Sequence, residues 1–355
     1  MKICLLGGTG TIGTYLQELL KKEEGNNIFV TTRNKSAKDI KNIHFLHGNA
    51  KDIQFVKSLD SNFDAVVDFM SYKTDEFANR VEILLNKTKH YVFLSSARVF
   101  ANDEVITEES PRLLDVSKDK QYLETDEYAL TKARQEDILN SYNKRNYTII
   151  RPYITYGKER LQLSVLEKEE WLFRALTHRS IVFCKELANK STTLTDSCDV
   201  AKSIYKILSR GSKGETINIT NDYSITWAHV LDIYVEELTK VLGEMPKISW
   251  VSLDKFMELY RPGISKYQIT VDRMFNRVFD NGKLSKIIDT KQFIPPEDGV
   301  RLCITAFLDC PHFRYANWRK EAFIDRYLKE RASLNDINGM KNTIKYYYNR
   351  YIGKI

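Results

Sequence analysis

MKICLLGGTGTIGTYL, residues 1–16, places a strand, a turn and a helix start one after another. Ile3, Cys4, Leu5 and Leu6 form a short, wholly apolar run, the pattern of a parallel strand buried on both faces. Gly7, Gly8, Gly10 and Gly13 follow, and helix-forming residues resume at Tyr15 and Leu16. In such a turn Gly7 permits the tight bend, Gly10 lets the backbone approach a pyrophosphate, and Gly13 lets the helix pack closely on the strand. Free N–H groups at the positive helix end, around Thr11 and Ile12, can then receive an anion. A dinucleotide site at Gly7, Gly10, Thr11, Ile12 and Gly13 is the reading favoured over a purely structural glycine turn.

Working outward, residues 11–24 carry a helical stripe of Ile12, Leu16, Leu19 and Leu20 that ends at Gly25-Asn26-Asn27. Residues 28–32 form the next strand. At its end an acidic side chain would bind a ribose 2′-hydroxyl, whereas an arginine would pair with a 2′-phosphate. Arg33 stands there, followed by Asn34 and Lys35, with no carboxylate before Asp39, so NADP is favoured over NAD. A third strand (43–47) runs into Gly48-Asn49-Ala50-Lys51-Asp52, a short helix (55–59), a fourth strand (64–70), an amphipathic helix (76–87) and a fifth strand (90–96). Asp68, Phe69, Met70 and Ser71, and then Ser95 and Ser96, arrive at the carboxyl edge, where open parallel sheets bind ligands. This alternation specifies an α/β protein with a doubly wound parallel sheet of the Rossmann kind.

The length, 355 residues, suits two domains or one domain with an elaborated lobe. A formal charge of +7 on a chain this long is mild and does not by itself argue for nucleic acid. Five scattered cysteines, Cys4, Cys184, Cys198, Cys303 and Cys310, have no paired metal spacing and read as reduced. Cys303, Cys310 and His312 come nearest to a cluster, but core packing is favoured and no metal is expected. No apolar run reaches the length of a bilayer span, and the chain opens directly on a core strand, so a soluble cytoplasmic protein without membrane partners is expected.

The chemistry lies in a serine, a tyrosine and a lysine. After a polar loop over residues 101–125, a helix is expected to start with Thr125 or Asp126 as its cap and to carry Tyr128-Ala129-Leu130-Thr131-Lys132. Four-residue spacing puts the phenol and the ammonium on one helical face. A nearby cation favours phenolate, which makes the pair a proton-transfer device. Ser96 and the turn at Gly7 belong to the same sheet edge, so the three groups and the dinucleotide site converge.

Together Gly7-Gly8-Thr9-Gly10-Thr11-Ile12-Gly13, Gly48-Asn49-Ala50-Lys51-Asp52, Ser95-Ser96-Ala97-Arg98-Val99-Phe100, Tyr128 with Lys132, and Arg151-Pro152-Tyr153-Ile154-Thr155-Tyr156-Gly157 resemble the extended short-chain dehydrogenase/reductases, the epimerase/dehydratase group acting on nucleotide-activated sugars. The resemblance covers roughly residues 1–240, and residues 67–72 look most like an atypical subgroup that includes chloroplast RNA-binding relatives. It implies Tyr128 as acid/base, Lys132 as the group that lowers its pKa and holds the nicotinamide ribose, and Ser96 as a hydrogen-bonding partner of the same substrate oxygen. It further implies Asn49 and Ala50 at the adenine, with Asn49 in place of the usual aspartate, Phe69 and Met70 beside the cofactor, and Pro152 and Tyr153 against the nicotinamide. A homodimer through the helices over 76–87 and 126–142 is likewise implied. Related 4,6-dehydratases carry an Asp-Glu pair directly after the serine position; Ala97-Arg98 here disfavours dehydration and leaves epimerisation or ketoreduction.

The resemblance places the dinucleotide domain at 1–157 with returning strands at about 190–222, and a smaller C-terminal α/β substrate lobe at 158–189 and 223–355. Arg98, Arg174, Arg179, Arg261 and Arg301 are candidates for the substrate diphosphate. The tail from Lys341 has Lys345, Arg350 and Lys354 among Tyr346, Tyr347, Tyr348 and Tyr351 with no acid. A packed terminal helix is favoured there over a nucleic-acid surface. An RNA-binding protein on this fold and a non-catalytic cofactor-binding subunit stand as the alternative readings.

Overall fold

The computed structural model describes residues 1–353; Lys354, assigned to the basic tail, lies outside them. The chain divides into two compact units, the first formed by Met1–Gly157, Thr193–Ser224 and Val278–Pro296, the second by Lys158–Thr192, Ile225–Arg277 and Glu297–Ile355.

In chain order the elements begin with β1 (Lys2–Leu6), α1 (Thr11–Leu20), β2 (Asn27–Thr32), β3 (Ile43–His47), α2 (Ile53–Ser58), β4 (Ala65–Asp68), α3 (Thr74–Lys87) and β5 (Tyr91–Leu94). Two single-turn helices, α4 (Leu113–Val116) and α5 (Lys120–Leu123), occupy what reads as loop in the sequence. Then come α6 (Tyr128–Asn140), β6 (Tyr147–Pro152), β7 (Ile154–Tyr156), α7 (Lys168–Leu176), β8 (Ile181–Cys184), α8 (Lys185–Ala188), β9 (Ser191–Asp196), α9 (Ser197–Arg210) and β10 (Glu215–Ile219). The rest is β11 (Ser224–Thr226), α10 (Trp227–Leu242), β12 (Ile248–Val251), α11 (Leu253–Tyr260), α12 (Pro296–Leu308), α13 (Trp318–Leu328) and α14 (Met340–Tyr351).

The first unit is built on a seven-stranded sheet of order β10-β6-β5-β4-β1-β2-β3, parallel throughout. Strand alternation sends Ile3 and Leu5 to one face and Cys4 and Leu6 to the other, and both faces are buried under apolar side chains. On the first face α1 and α9 contribute Leu16, Leu20, Val200 and Ile204; on the second α3 and α6 contribute Phe77, Val81 and Leu139. The short segment Val278–Pro296, expected in the C-terminal lobe, belongs to this unit. Leu284 and Phe293 enter the first-face core, Phe279 lies 5.2 Å from the Tyr153 ring, and Asn281 accepts a hydrogen bond from Thr220 at 2.7 Å. No strand marks the segment, so the sequence pattern does not reveal it.

The second unit is mostly helical, with β8 and β12 paired in parallel. Its centre is a buried ion network: the Arg174 guanidinium of α7 meets Glu321 at 2.7 Å and Asp325 at 2.9 Å, and Arg179 meets Glu321 at 2.7 Å. No helix among the described residues is long and apolar enough to cross a membrane.

Inside the first unit His90 is buried, and its Nε2 lies 2.8 Å from Thr148 Oγ1. The Thr148 hydroxyl gives its own proton to the Ser212 carbonyl, so Nε2–H is the donor of the pair. Burial pushes this imidazole down from 6.5 to about 4. Between those values the unfolded chain binds the extra proton, so the contribution is whole above pH 6.5 and is lost as the pH falls. His90 should therefore remove about 3 kcal/mol of stability between pH 7 and pH 4. The His90→Gln protein should lack that part of the acid sensitivity in urea unfolding compared at the two pH values.

Candidate active site

The crossovers after β1 and β4 run to opposite sides of the sheet, so the crevice at their carboxyl ends is the switch point of the fold. Two glycines there have no alternative. Gly7 adopts φ +69°, and a Cβ on it would stand 2.6 Å from Met70 Sδ. A Cβ on Gly13 would stand 2.2 Å from the Gly8 carbonyl oxygen, so Gly13 lets α1 close on the turn rather than on the strand expected from sequence. Gly10 caps α1 without a side-chain hydrogen bond, leaving the first amides of the helix, from Thr11 and Ile12 onward, without a cap.

Beside this turn lies a cavity of about 380 Å³. Arg33 lines it from the end of β2, Asn49, Ala50 and Lys51 from the loop after β3, and Gly7 and Met70 from the switch point. No carboxylate lines it, and neither Arg33 nor Lys51 has a side-chain hydrogen-bond or ion-pair partner among the described residues. A glycine cradle, uncapped helix amides and an acid-free basic cavity fit the pyrophosphate and adenosine of a dinucleotide. Of the other expected cofactor residues, Ile12 and Phe69 pack partly against the core. Pro152 ends β6, and Tyr153 is buried against Phe279.

Ser96 lies two residues past β5 and caps the short turn Ala97–Val99; it is 5% exposed, and its Oγ accepts the Arg98 backbone N–H at 3.2 Å. Tyr128 is the first residue of α6 and is 40% exposed. The cap of that helix is Glu127, whose carboxylate accepts the Ala129 N–H at 2.8 Å. The expected caps are engaged elsewhere: Asp126 takes the Thr74 hydroxyl at 2.6 Å, and Thr125 donates to the Tyr122 carbonyl at 2.7 Å. Glu127 also holds Arg98 Nη2 at 2.7 Å, which places that guanidinium 5.2 Å from the centre of the Tyr128 ring. The Lys132 Nζ lies 5.9 Å from the centre of the same ring. Two cations thus stand within 6 Å of the Tyr128 ring centre.

Lys132 is fully buried; its Nζ donates to the Leu94 carbonyl at 2.7 Å and sits 4.7 Å from the Phe93 ring centre. Burial lowers its pKa, opposed by the negative charges of Tyr128, Asp68 and Glu136. Beneath it Glu136 receives Ser95 Oγ at 2.5 Å and Arg151 through Nε and Nη2, both at 2.8 Å. Asp68, at the end of β4, is also buried; desolvation raises its pKa, while hydrogen bonds from Met70 N, Tyr91 and Tyr72 act the other way. Lys51 and Glu127 carry weight that sequence reasoning did not assign. Asp68 is expected at the ligand edge of the sheet, but the hydrogen bonds it takes from Met70 N, Tyr72 and Tyr91 have no local signal.

The five arginines considered for a substrate diphosphate are all engaged. Arg98 holds Glu127, Arg174 and Arg179 are buried in the ion network, Arg261 grips Glu170 at 2.9 Å, and Arg301 meets Glu236 at 2.8 Å. No group of His, Cys, Asp or Glu among the described residues could hold a metal ion. In α14 Tyr346 is buried and donates to Asp325 at 2.6 Å, whereas Tyr348 and Tyr351 are 55% and 61% exposed.

The sheet order and the glycine cradle define the Rossmann class. Residues 3–220 match the NAD dependent epimerase/dehydratase family. That is more than half of the chain, and the protein belongs to this family. The chain is 29% identical over 244 residues to the chloroplast stem-loop binding protein of 41 kDa b of Arabidopsis thaliana, a match covering 64% of this chain and 60% of that protein. In structure it is similar to UDP-glucuronic acid 4-epimerase from Bacillus cereus in complex with NAD, with TM-score 0.63, 15% identity and coverage of 87% and 99% of the two chains. It is likewise similar to UDP-glucose 4-epimerase from Bifidobacterium longum in complex with NAD+ and UDP, with TM-score 0.64, 16% identity and coverage of 88% and 99%.

Because Glu127 both caps α6 and holds Arg98, Glu127→Ala should destabilise the protein by about 1–2 kcal/mol. Glu127→Gln, which keeps the cap acceptor, should lose less; urea midpoints of the three proteins measure the difference.

Proposed function

We propose that this protein is an NAD(P)-dependent epimerase or ketoreductase acting on a nucleotide-activated sugar. The observation that carries the reading is the exposed Tyr128 ring with both Arg98 and Lys132 within 6 Å of its centre, on the sheet unit that also bears the glycine turn. The family supports the reaction class, and the nucleotide-sugar 4-epimerases of the same fold support the substrate class.

A bound nicotinamide supplies hydride acceptance and donation. Tyr128, exposed at the start of α6, exchanges the proton of the reacting hydroxyl. Arg98 and Lys132 stabilise negative charge on the phenolic oxygen during that exchange. Ser96 accepts from Arg98 N and keeps its own proton for the substrate oxygen. Gly7, Gly10 and Gly13 shape the pyrophosphate site, with Asn49, Ala50 and Met70 around the adenosine. Position 97 is a buried alanine and Arg98 is paired, so the acid and base that elimination of water requires are missing from the place where dehydratases carry them.

Arg33 and Lys51 favour NADP, since both cations line the adenosine cavity and no carboxylate is there to take a ribose 2′-hydroxyl. Dimerisation would use α3 and α6, which pack side by side in the first unit. A second reading, RNA binding, rests on the Arabidopsis relative's name and on the basic α14 with its two exposed tyrosines. It requires single-stranded RNA affinity that falls steeply with salt and is lost on removing residues 341–355.

Tyr128→Phe should keep NADPH affinity, followed by nucleotide fluorescence, and lose turnover of UDP-sugars by about a hundredfold or more. Unchanged turnover would remove Tyr128 from the chemistry. Arg33→Ala should weaken NADPH about tenfold and leave NADH nearly unaffected; titrations with both nucleotides decide between the two cofactors.

A further inference from the structure

Arg80 of α3 is 4% exposed and has no atom at the surface of the adenosine cavity. Its guanidinium nevertheless donates Nη1 to the Ala50 carbonyl at 3.2 Å and Nη2 to the Lys51 carbonyl at 3.1 Å, with Nε bound to the Glu76 carbonyl at 2.6 Å. Ala50 and Lys51 line that cavity. The guanidinium carbon lies over the Tyr72 ring, 4.2 Å from its centre. Tyr72, itself buried, donates its hydroxyl to Asp68 Oδ1 at 3.2 Å. The same Oδ1 accepts the Met70 N–H at 2.9 Å, and Tyr91 holds Oδ2 at 2.8 Å. Met70 lines the same cavity, its sulfur beside Gly7. The chain of contacts therefore links two separate stretches of the cavity wall, Ala50-Lys51 and Met70. Gln135 of α6 joins it, donating Nε2 to the Tyr72 carbonyl at 2.8 Å on the helix that carries Tyr128 and Lys132.

We propose that Arg80, Tyr72 and Asp68 form a buried strap that holds these two stretches of the adenosine cavity wall at one spacing, so that three residues outside the cavity set the affinity for the adenosine half of the dinucleotide. The inference rests on the dinucleotide reading above. The physical reason is preorganisation: a loop whose carbonyls are already bound to a fixed cation loses little freedom when a ligand enters. The guanidinium suits the task because it is planar; it reaches two successive carbonyls and stacks on an aromatic ring at once, which an ammonium cannot do. Asp68 in turn anchors the strap to the sheet, since β4 pairs with β1 and β5 on either side of it. All three are positioning residues, and none is placed to touch the reacting atoms.

The experiment compares Arg80→Met, Arg80→Lys and Tyr72→Phe with the natural protein, using isothermal titration with 2′,5′-ADP as a probe of the adenosine half and with NADPH as the whole dinucleotide. Thermal midpoints are recorded in parallel, and Lys132→Met serves as a contrast at the nicotinamide end. Arg80→Met is expected to weaken both ligands by about tenfold. Arg80→Lys should recover part of that loss. Tyr72→Phe, which keeps the ring beneath the guanidinium and removes one hydroxyl, should cost about threefold. Lys132→Met should weaken NADPH and leave 2′,5′-ADP unchanged. Folded Arg80 and Tyr72 variants that bind 2′,5′-ADP as the natural protein does would overturn the strap while leaving the dinucleotide reading intact. Should Arg80→Met fail to fold, Tyr72→Phe decides on the same readout. A natural protein that binds neither NADPH nor NADH would overturn the dinucleotide reading, and the strap with it.

Discussion

There is no room for one further carbon atom between the start of α1 and the turn that precedes it. A Cβ at position 13 would lie 2.2 Å from the Gly8 carbonyl oxygen, and one at position 7 would strike the Met70 sulfur. The first contact lets the amino end of α1 come down onto the turn, where its uncapped amides collect at the sheet edge. The second brings the segment after β4 against the segment after β1, which closes one side of the crevice. The glycine turn and the cavity beside it depend on these two close approaches.

Charge in the first unit is arranged around that crevice by pairing. Arg98 is held by Glu127, and Arg151 by a fully buried Glu136. Buried pairs of this kind are weak evidence for net stability, because desolvation offsets much of the attraction. They do fix position, since removing one partner strands the other. Lys132 is held in the same way, by a backbone carbonyl and the field of Asp68 and Glu136. Arg33 and Lys51 differ in lining a cavity to which no acid contributes. A site that has neutralised its structural cations and left two facing an open cavity is suited to an anion.

Much of the first unit is legible along the chain because its strands are apolar runs and its helices are stripes. β3 (Ile43–His47) has the bounds that hydrophobic periodicity predicts. The cap of α6 is different. Thr125 and Asp126 are the expected caps, and neither serves: Glu127 reaches the Ala129 amide while Asp126 is drawn away by Thr74, 52 residues earlier. The segment Val278–Pro296 escapes for a related reason: it joins the first unit through one isolated backbone bridge to Ile106 and through the side chains of Phe279, Asn281 and Leu284, with no periodic pattern to announce it.

Sequence alone determined the parallel doubly wound sheet, the glycine turn and the basic residue after β2, and it singled out Ser96, Tyr128 and Lys132 as candidates. Each follows from neighbours a few residues apart, where backbone freedom, periodicity and residue type act locally. Tertiary structure alone decided which cations are spent on partners, that Glu127 caps the helix of Tyr128, and that Arg80 stands behind the wall of the adenosine cavity. Those outcomes depend on side chains tens to more than a hundred residues apart, such as Arg174 with Glu321 or Arg80 with the Ala50 carbonyl. Charge has no periodicity that could reveal its partner, so folding alone brings such groups within hydrogen-bond reach.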